Sequence, residues 1–172
     1  MKRSLSFLAF SLLLALAVEA APDSKYLAVG EAVPAVSVRT EAGAQQKLSE
    51  AIGGKPTVLI FYRGGWCPFC TKHLAALAEA EPQLTAVGFQ LLAISPDQPA
   101  KLRAKPSHQH LPYTLLSDSE MKAAQAFGIA FKVEDALVAK YKNDYGINLE
   151  GDSGQTHHPV ARWLARRAAG DP

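Results

Sequence analysis

The chain has 172 residues, with 18 Lys or Arg and 16 Asp or Glu, so its formal charge at pH 7 is +2. Neither a long basic run nor a basic patch interleaved with aromatic residues occurs, so the composition indicates neither nucleic-acid binding nor strong attraction to a membrane surface. Hydrophobic residues make up 48% of the chain, and its length is enough for one domain with a substantial core.

The first 20 residues are predicted to be a signal peptide and not part of the fold. Lys2 and Arg3 give a positive start, residues 7–18 are apolar, and residues 18–20 (Val-Glu-Ala) form a small-residue cleavage pattern. Glu19 ends the apolar run before the ~20 residues that a spanning helix needs. We expect export to an oxidising compartment, such as the bacterial periplasm, and no membrane attachment after cleavage. A retained N-terminal anchor is the alternative.

The segment before the central motif predicts a hairpin. Val36 and Val38 alternate with polar residues, and a turn follows at residues 41–43. Residues 47–54 are expected to be a short polar connection, after which Pro56 opens the central strand. The continuous apolar run at residues 58–61 is typical of a parallel strand covered on both faces.

A glycine-bearing turn and a helix follow this strand. Gly64 and Gly65 allow a sharp turn, and Leu74 and Leu77 then repeat at helical spacing until Pro82, where we expect the helix to end. Both cysteines of the chain therefore fall at the junction between a strand and a helix N-terminus.

Cys67 and Cys70 are the candidate catalytic residues. The first N–H groups of a helix lack internal partners and carry partial positive charge, which favours a thiolate, the reactive form of cysteine. Arg63 is close in sequence and could add to this effect. The Cys-x-x-Cys spacing also brings the second sulfur within reach of the first, so the pattern predicts a redox-active dithiol.

Two other interpretations of the cysteines stay open. They could form an inert structural disulfide, or they could bind a metal together with His73. A zinc site would need a fourth ligand from a second cluster. The candidates for it are His108, His110, His157 and His158. Haem attachment is not indicated, because Thr71 stands where Cys-x-x-Cys-His needs a histidine.

The rest of the chain continues the alternation of strands and helices. Strands are predicted at residues 89–95 and 113–116, with a short helix at residues 99–105 between them. A capping-box sequence at residues 117–120 is expected to start one more helix, and Val133, Leu137 and Tyr141 indicate another. This order predicts an α/β layer fold with a largely parallel sheet.

Four motifs carry a resemblance to known proteins. They are Val29-Gly-Glu-Ala-Val-Pro34, Phe61-Tyr-Arg-Gly-Gly-Trp-Cys-Pro-Phe-Cys70, Leu91-Leu-Ala-Ile-Ser-Pro-Asp97 and Leu116-Ser-Asp118. With these, the chain resembles the thioredoxin-fold superfamily and, within it, the peroxiredoxin-like proteins of the AhpC/TSA type. The resemblance implies a thioredoxin-like α/β fold of three layers around a central mixed sheet, formed by one domain at residues 27–150.

The same resemblance leaves the roles of the two cysteines open. An alignment on the strand places Cys70 at the peroxidatic position, with Cys67 in place of the usual threonine or serine and Arg63 near the usual proline. The thioredoxin pattern instead makes Cys67 the nucleophile and Cys70 the resolving thiol. Trp66 and Pro68, with Phe69, would shape the surface where a substrate docks.

The implied function is reduction of hydroperoxides through the Cys67/Cys70 pair, with no cofactor and no resident metal. The electron donor would be a thioredoxin-like protein or a small thiol. One alternative is a periplasmic thiol-disulfide reductase that acts on protein disulfides, and another is a copper or other metal-binding chaperone.

The C-terminal end departs from the family pattern. Pro159 could mark the cis-proline that faces the active site in this superfamily, but few residues follow it. Residues 151–172 are therefore expected to be an atypical tail, with residues 161–169 a basic helix or disordered, and the family's C-terminal strands truncated. The strand at residues 58–61 would then keep an unpaired edge, which is an aggregation liability.

Overall fold

The computed structural model describes residues 26–104, 106–155, 159–161 and 164–167. The strands are β1 (Ser37–Arg39), β2 (Gln45–Lys47), β3 (Thr57–Phe61), β4 (Gln90–Ser95), β5 (Thr114–Ser117), β6 (Ala130–Lys132), β7 (Pro159–Ala161) and β8 (Leu164–Arg167). The helices are α1 (Leu48–Ile52), α2 (Pro68–Ala86), α3 (Pro106–Gln109), α4 (Lys122–Ala126), α5 (Asp135–Tyr145) and α6 (Leu149–Ser153), with a 3₁₀ turn at Pro99–Lys101.

Six of the strands form a mixed sheet in the order β2-β1-β5-β4-β3-β8. Strands β3, β4 and β5 are parallel, while the β1–β2 hairpin and β8 join this parallel centre in antiparallel orientation. A separate two-stranded sheet pairs β6 with β7. The predicted α/β fold with a mixed central sheet is confirmed, as is the N-terminal hairpin.

Strand β3 is apolar from Val58 to Phe61 because its side chains pack on both faces of the sheet. Leu59 and Phe61 belong to one buried cluster, with Ile94 and Leu116 from the neighbouring strands. Ile60 alternates with them and belongs to a second cluster, which also contains both cysteines and Leu74 of α2. The sheet therefore lies between two apolar layers, and the cysteines lie in the layer formed with α2.

Two predicted element boundaries are wrong. Residues 47–54 are not a plain connection, because the fully buried Leu48 opens the short helix α1. Helix α2 does not end at Pro82 but continues to Ala86. Pro82 is exposed and removes one helical hydrogen bond, while Leu84 packs against the cysteine layer and holds the last turn in place.

The capping box expected at residues 117–120 does not form. Met121, at φ +57°, precedes α4, and the helix N-terminus is satisfied by the Asp118 carboxylate. This carboxylate accepts the N–H groups of Ala123 at 3.0 Å and Ala124 at 2.8 Å. The capping group is therefore the aspartate at the end of β5, one residue after the serine that the pattern suggested.

The edge of β3 is not unpaired. Strand β8 lies antiparallel to it, with Phe61 opposite Leu164 and Val58 opposite Arg167. The expectation of a basic helix or disorder at residues 161–169 is therefore wrong for residue 161 and for residues 164–167. Backbone N–H and C=O groups drive strand pairing whatever the side chains are, so a basic segment can complete an edge.

Two other predictions fall wholly or partly outside the described residues. The signal peptide lies outside them, and so does the peptide bond between His158 and Pro159, which the cis-proline prediction concerns. The structure does place Pro159 in β7, opposite Lys132. Among the helices of the described ranges, none combines the length and apolar character needed to cross a membrane.

Candidate active site

The two cysteines lie where the chain leaves β3 and enters α2. Four residues, Arg63 to Trp66, form the turn between the strand and the helix, and Cys67 is the N-cap of α2. Pro68 takes the first helical position, where its fixed φ suits the helix and its missing N–H costs nothing. The Cys67 N–H closes the turn by donating to the Gly64 carbonyl at 3.1 Å.

Three donors converge on the sulfur of Cys67. Its Sγ accepts hydrogen bonds from the Cys70 Sγ at 2.8 Å, from the Cys70 N–H at 3.3 Å and from Nη2 of Arg63 at 3.0 Å. Together they lower the pKa of Cys67 well below that of a free thiol, against the opposing effect of burial, and the Cys70 thiol contributes most. This environment favours the thiolate form of Cys67.

Cys70 has the opposite protonation state. The hydrogen bond that it donates to Cys67 raises the pKa of Cys70, and burial raises that pKa further. The pair therefore shares one proton, which stays on Cys70. Two cysteines three residues apart thus become a charged nucleophile and a protonated partner in direct contact.

Both sulfurs are covered. Cys67 is 0% and Cys70 2% exposed, whereas Phe69 between them is 78% exposed. The Arg63 guanidinium lies over the ring of Trp66, with 5.3 Å between the Cζ atom and the ring centroid. Trp66 packs against Tyr141 of α5 at 5.4 Å between centroids. The Arg63 side chain that contacts Cys67 Sγ is therefore itself packed against Trp66.

The structure brings together most of the residues singled out from the sequence. Arg63, Trp66, Cys67, Pro68 and Cys70 lie in one continuous segment around the buried sulfurs. The side chain of Pro159 is not described, so its predicted role at the site stays a prediction.

Asp97 is a site residue that the sequence pattern did not single out. It is 2% exposed, follows β4, and its Oδ2 accepts the Gly65 N–H at 2.8 Å and the Ser95 hydroxyl at 2.9 Å. Parallel strands end at one edge of a sheet, so an aspartate just after β4 lies near the turn after β3. Applied to the Ser-Pro-Asp sequence at the end of the predicted strand, that rule could have identified Asp97 as a site residue from the sequence.

The described residues that were considered as metal ligands do not form a centre, while His157 and His158 lie outside the described residues. Within the described part of the chain, no three His, Cys, Asp or Glu side chains are placed to share a metal ion. His108 is fully buried behind α2, where its ring contacts the Thr71 hydroxyl and the Leu102 carbonyl, each at 3.3 Å. The geometry therefore does not favour the metal-chaperone interpretation.

The mixed central sheet, with a Cys-x-x-Cys pair at the N-terminus of the following helix, is the arrangement of a thioredoxin-fold protein. The two sulfurs of this pair are in contact, at 2.8 Å. The sequence model of the AhpC/TSA family matches residues 29–151. The chain therefore belongs to the AhpC/TSA family, as its motifs indicated.

Named relatives agree with this assignment. The bcp protein of Haemophilus influenzae is 33% identical over 103 residues, which cover 60% of this chain and 66% of the relative. Chloroplastic peroxiredoxin Q of Populus jackii is 32% identical over 100 residues, covering 58% of this chain and 46% of the relative. The matched segment thus spans between 46% and 66% of the length of these two curated relatives.

Solved structures show the same fold at lower identity. Peroxidoxin BcpB from Mycobacterium tuberculosis superposes with a TM-score of 0.56 and 21% identity, covering 80% of this chain and 73% of that one. Reduced Prx3 from Vibrio vulnificus, in complex with H₂O₂, gives a TM-score of 0.59 and 20% identity, with 63% and 72% covered. At these identities the likeness establishes the fold alone.

Proposed function

We propose that the chain is a thiol-dependent peroxidase in which Cys67 attacks the hydroperoxide and Cys70 resolves the product. The observation that carries this proposal is the convergence of three donors on Cys67 Sγ, one of which is the Cys70 thiol at 2.8 Å. Membership of a family whose named relatives are peroxiredoxins supports the same reaction.

The two steps follow from the protonation states. The Cys67 thiolate attacks one peroxide oxygen, the O–O bond breaks, and the departing alkoxide or hydroxide takes a proton from solvent. Cys67 is then a sulfenic acid. The Cys70 sulfur next attacks Cys67 and displaces hydroxide, which takes the Cys70 proton and leaves as water. The dithiol has lost two electrons and the peroxide has gained them.

Burial favours a small hydroperoxide over a protein disulfide as substrate. A disulfide exchange would need the attacking sulfur to meet a second sulfur in line, and Cys67 has no exposed surface. A peroxide needs only enough space for two oxygens, which a shift of the partly exposed Arg63 side chain would provide. Access to Cys67 therefore favours the peroxidase over the disulfide reductase.

Completion of the cycle needs a thiol that reduces the Cys67–Cys70 disulfide. We propose a small thiol in this role, because both sulfurs are buried in the reduced form. A thioredoxin-like protein could act only if the oxidised pair is more exposed, and it would then meet the exposed Phe69. We also propose export to the periplasm, supported by the charge and apolar pattern of residues 1–20. Fractionation of cells expressing the full chain and a form lacking residues 2–20 tests this: equal cytoplasmic retention of both forms would contradict export.

The experiment that tests the peroxidase is the rate at which the reduced chain loses thiols to hydrogen peroxide, with Cys67→Ser and Cys70→Ser beside it. We expect the wild-type rate to exceed that of a free cysteine by several orders of magnitude. Cys67→Ser should abolish the fast reaction. Cys70→Ser should allow one turnover and leave a sulfenic acid on Cys67 that dimedone traps.

Two outcomes would contradict the proposal in different ways. A wild-type rate equal to that of a free thiol would argue against peroxidase activity altogether. A fast reaction that persists in Cys67→Ser and vanishes in Cys70→Ser would keep the peroxidase but exchange the roles of the two cysteines, as the alignment on the strand suggested.

A further inference from the structure

Asp97 lies beneath the turn that carries Arg63 and Cys67, and the proposed chemistry makes no use of it. Its carboxylate is held by its own strand, because the Ser95 hydroxyl donates to Oδ2 at 2.9 Å and the Asp97 N–H donates back to the Ser95 Oγ at 3.3 Å. The same Oδ2 accepts the Gly65 N–H at 2.8 Å, across 32 residues of sequence. The carboxylate therefore ties the end of β4 to the turn after β3.

The Asp97 carboxyl group also lies close to Gly64, the residue before Gly65 in the turn. Gly64 has a φ of +137°, and a Cβ built on it would lie 2.7 Å from Asp97 Oδ1 and 2.5 Å from Trp66 Nε1. The carboxylate thus fills the space where a side chain at position 64 would lie, and it accepts a hydrogen bond from the Gly65 N–H. These two residues are the ones that separate Arg63 from Trp66 and Cys67.

We infer that Asp97 is a positioning residue for the Cys67 thiolate: by holding Gly65, it fixes the turn so that the Arg63 guanidinium and the first turn of α2 both reach Cys67 Sγ. This inference rests on the proposed role of Cys67 as the attacking thiolate. It assigns to Asp97 no contact with substrate and no transfer of a proton.

A positioning role needs an acceptor oxygen at the place of Oδ2 and does not need the negative charge. In the Asp97→Asn variant, an amide oxygen could stand at that place and accept both hydrogen bonds, whereas the methyl group of Asp97→Ala could accept neither. The charged or titratable groups that face Asp97 are Tyr62, Lys101 and Asp152. The two variants therefore separate position from charge.

The test is the pH dependence of Cys67 alkylation by iodoacetamide in the full reduced chain, followed by peptide mass. The thiolate fraction sets this rate, so a Cys67 pKa well below that of a free cysteine keeps the wild-type rate at pH 6 close to its plateau. We expect Asp97→Ala to lower the rate at pH 6 by ~10-fold, as the pKa of Cys67 moves toward ~8.5, that of a free cysteine. Asp97→Asn should stay within about twofold of wild type, since the acceptor remains.

Asp118→Ala is the matched control, because Asp118 is a second buried aspartate at the end of the adjacent strand and bonds no atom of the turn. It should leave the alkylation profile of Cys67 unchanged. An unchanged profile in Asp97→Ala would overturn the inference. Equal displacement of the profile in Asp97→Asn and Asp97→Ala would also overturn it, since the charge and not the position would then be responsible.

A measurement on the wild type keeps the inference testable if Asp97→Ala does not fold. The Gly65 amide proton should exchange slowly, and its chemical shift should titrate with the carboxyl, whose pKa burial raises to about 6. Asp97→Asn should remove that titration. A Gly65 amide that exchanges like an exposed glycine, or that shows no titration, would overturn the inference.

The two proposals fail separately. A wild-type Cys67 that titrates like a free thiol overturns the proposed attack by Cys67, and this inference with it. A wild-type Cys67 of low pKa that is indifferent to Asp97→Ala overturns only the role of Asp97.

Discussion

Two buried aspartates at the ends of adjacent strands make a controlled comparison within one molecule. Asp97 follows β4 and Asp118 follows β5, they are 2% and 4% exposed, and burial raises the pKa of each to about 6. Each accepts backbone N–H groups, yet their partners differ in kind. Asp118 caps the helix that begins four residues later, while Asp97 holds a turn 32 residues earlier in the chain.

This contrast shows two uses of a buried carboxylate at a sheet edge. A carboxylate that caps the next helix accepts N–H groups that have no partner within that helix, and it stabilises that helix alone. A long-range tie fixes two segments relative to each other, so its loss changes geometry at a distance. If this distinction is correct, Asp118 affects stability and Asp97 affects both stability and the reactivity of Cys67.

The strongest effect is expected at Gly64, where Trp66 and Asp97 pack closely against the turn. Gly64→Ala puts a methyl group 2.5 Å from Trp66 Nε1 and 2.7 Å from Asp97 Oδ1, at a φ of +137°. We therefore expect a loss of about 4 kcal/mol in the free energy of unfolding and slower Cys67 alkylation at pH 6. Gly88→Ala is the matched control, with φ +84° and no atom within 4 Å of the new Cβ. It should cost only about 1 kcal/mol of backbone strain. Equal losses, measured by urea denaturation, would show that the close packing of Trp66 and Asp97 against Gly64 is unimportant for stability.

The next effect is the pH dependence of stability. An acid whose pKa is higher in the folded than in the unfolded state stabilises the fold below its unfolded pKa, and this contribution disappears as pH rises through the folded pKa. For Asp97 and Asp118, with a folded pKa of about 6 each, the contribution is present below pH ~4 and lost by pH ~7. It amounts to at most about 3 kcal/mol for each carboxyl.

Asparagine variants isolate this contribution. The stability of the wild type minus that of Asp97→Asn or Asp118→Asn should fall as pH rises from 4 to 7, and the two curves should have the same sign and shape. Denaturation midpoints at four or five pH values check this. A difference that rises with pH would mean that the carboxylates are stabilised by their hydrogen bonds more than they are penalised by burial.

A weaker effect is expected at the aromatic contact of the same turn. Trp66 packs against Tyr141 of α5, and such an aromatic pair contributes about 1 kcal/mol. We therefore expect Tyr141→Ala to lower stability by about that amount and to leave Cys67 alkylation nearly unchanged, because Asp97 still holds Gly65. The neighbouring Tyr145, which is 61% exposed, provides the control variant Tyr145→Ala. A shift of the Cys67 profile in Tyr141→Ala as large as in Asp97→Ala would place the control of the turn in the aromatic stack.

Much of the fold was predictable because its signals are local or repeat at a regular spacing. The apolar run of β3, the hairpin before it and the alternation of strands and helices each follow from neighbouring residues. Predictions were wrong where a distant partner decided the outcome. Helix α2 passes Pro82 because Leu84 packs on the cysteine layer, and α4 is capped by Asp118 where a serine-led box was expected. The edge of β3 is paired because β8 returns to it from more than a hundred residues away in sequence.

The location of the dithiol was determined by the sequence alone. A strand, a glycine turn and a Cys-x-x-Cys in the first turn of a helix are consecutive, so their proximity follows from chain connectivity and helix geometry. Tertiary structure decided which sulfur carries the charge, since that depends on the direction of the Arg63 side chain and on the proton that Cys70 donates to Cys67. It also decided that Asp97 belongs to the site, because residues 32 positions apart meet only when β3 and β4 pair and their ends reach one edge of the sheet.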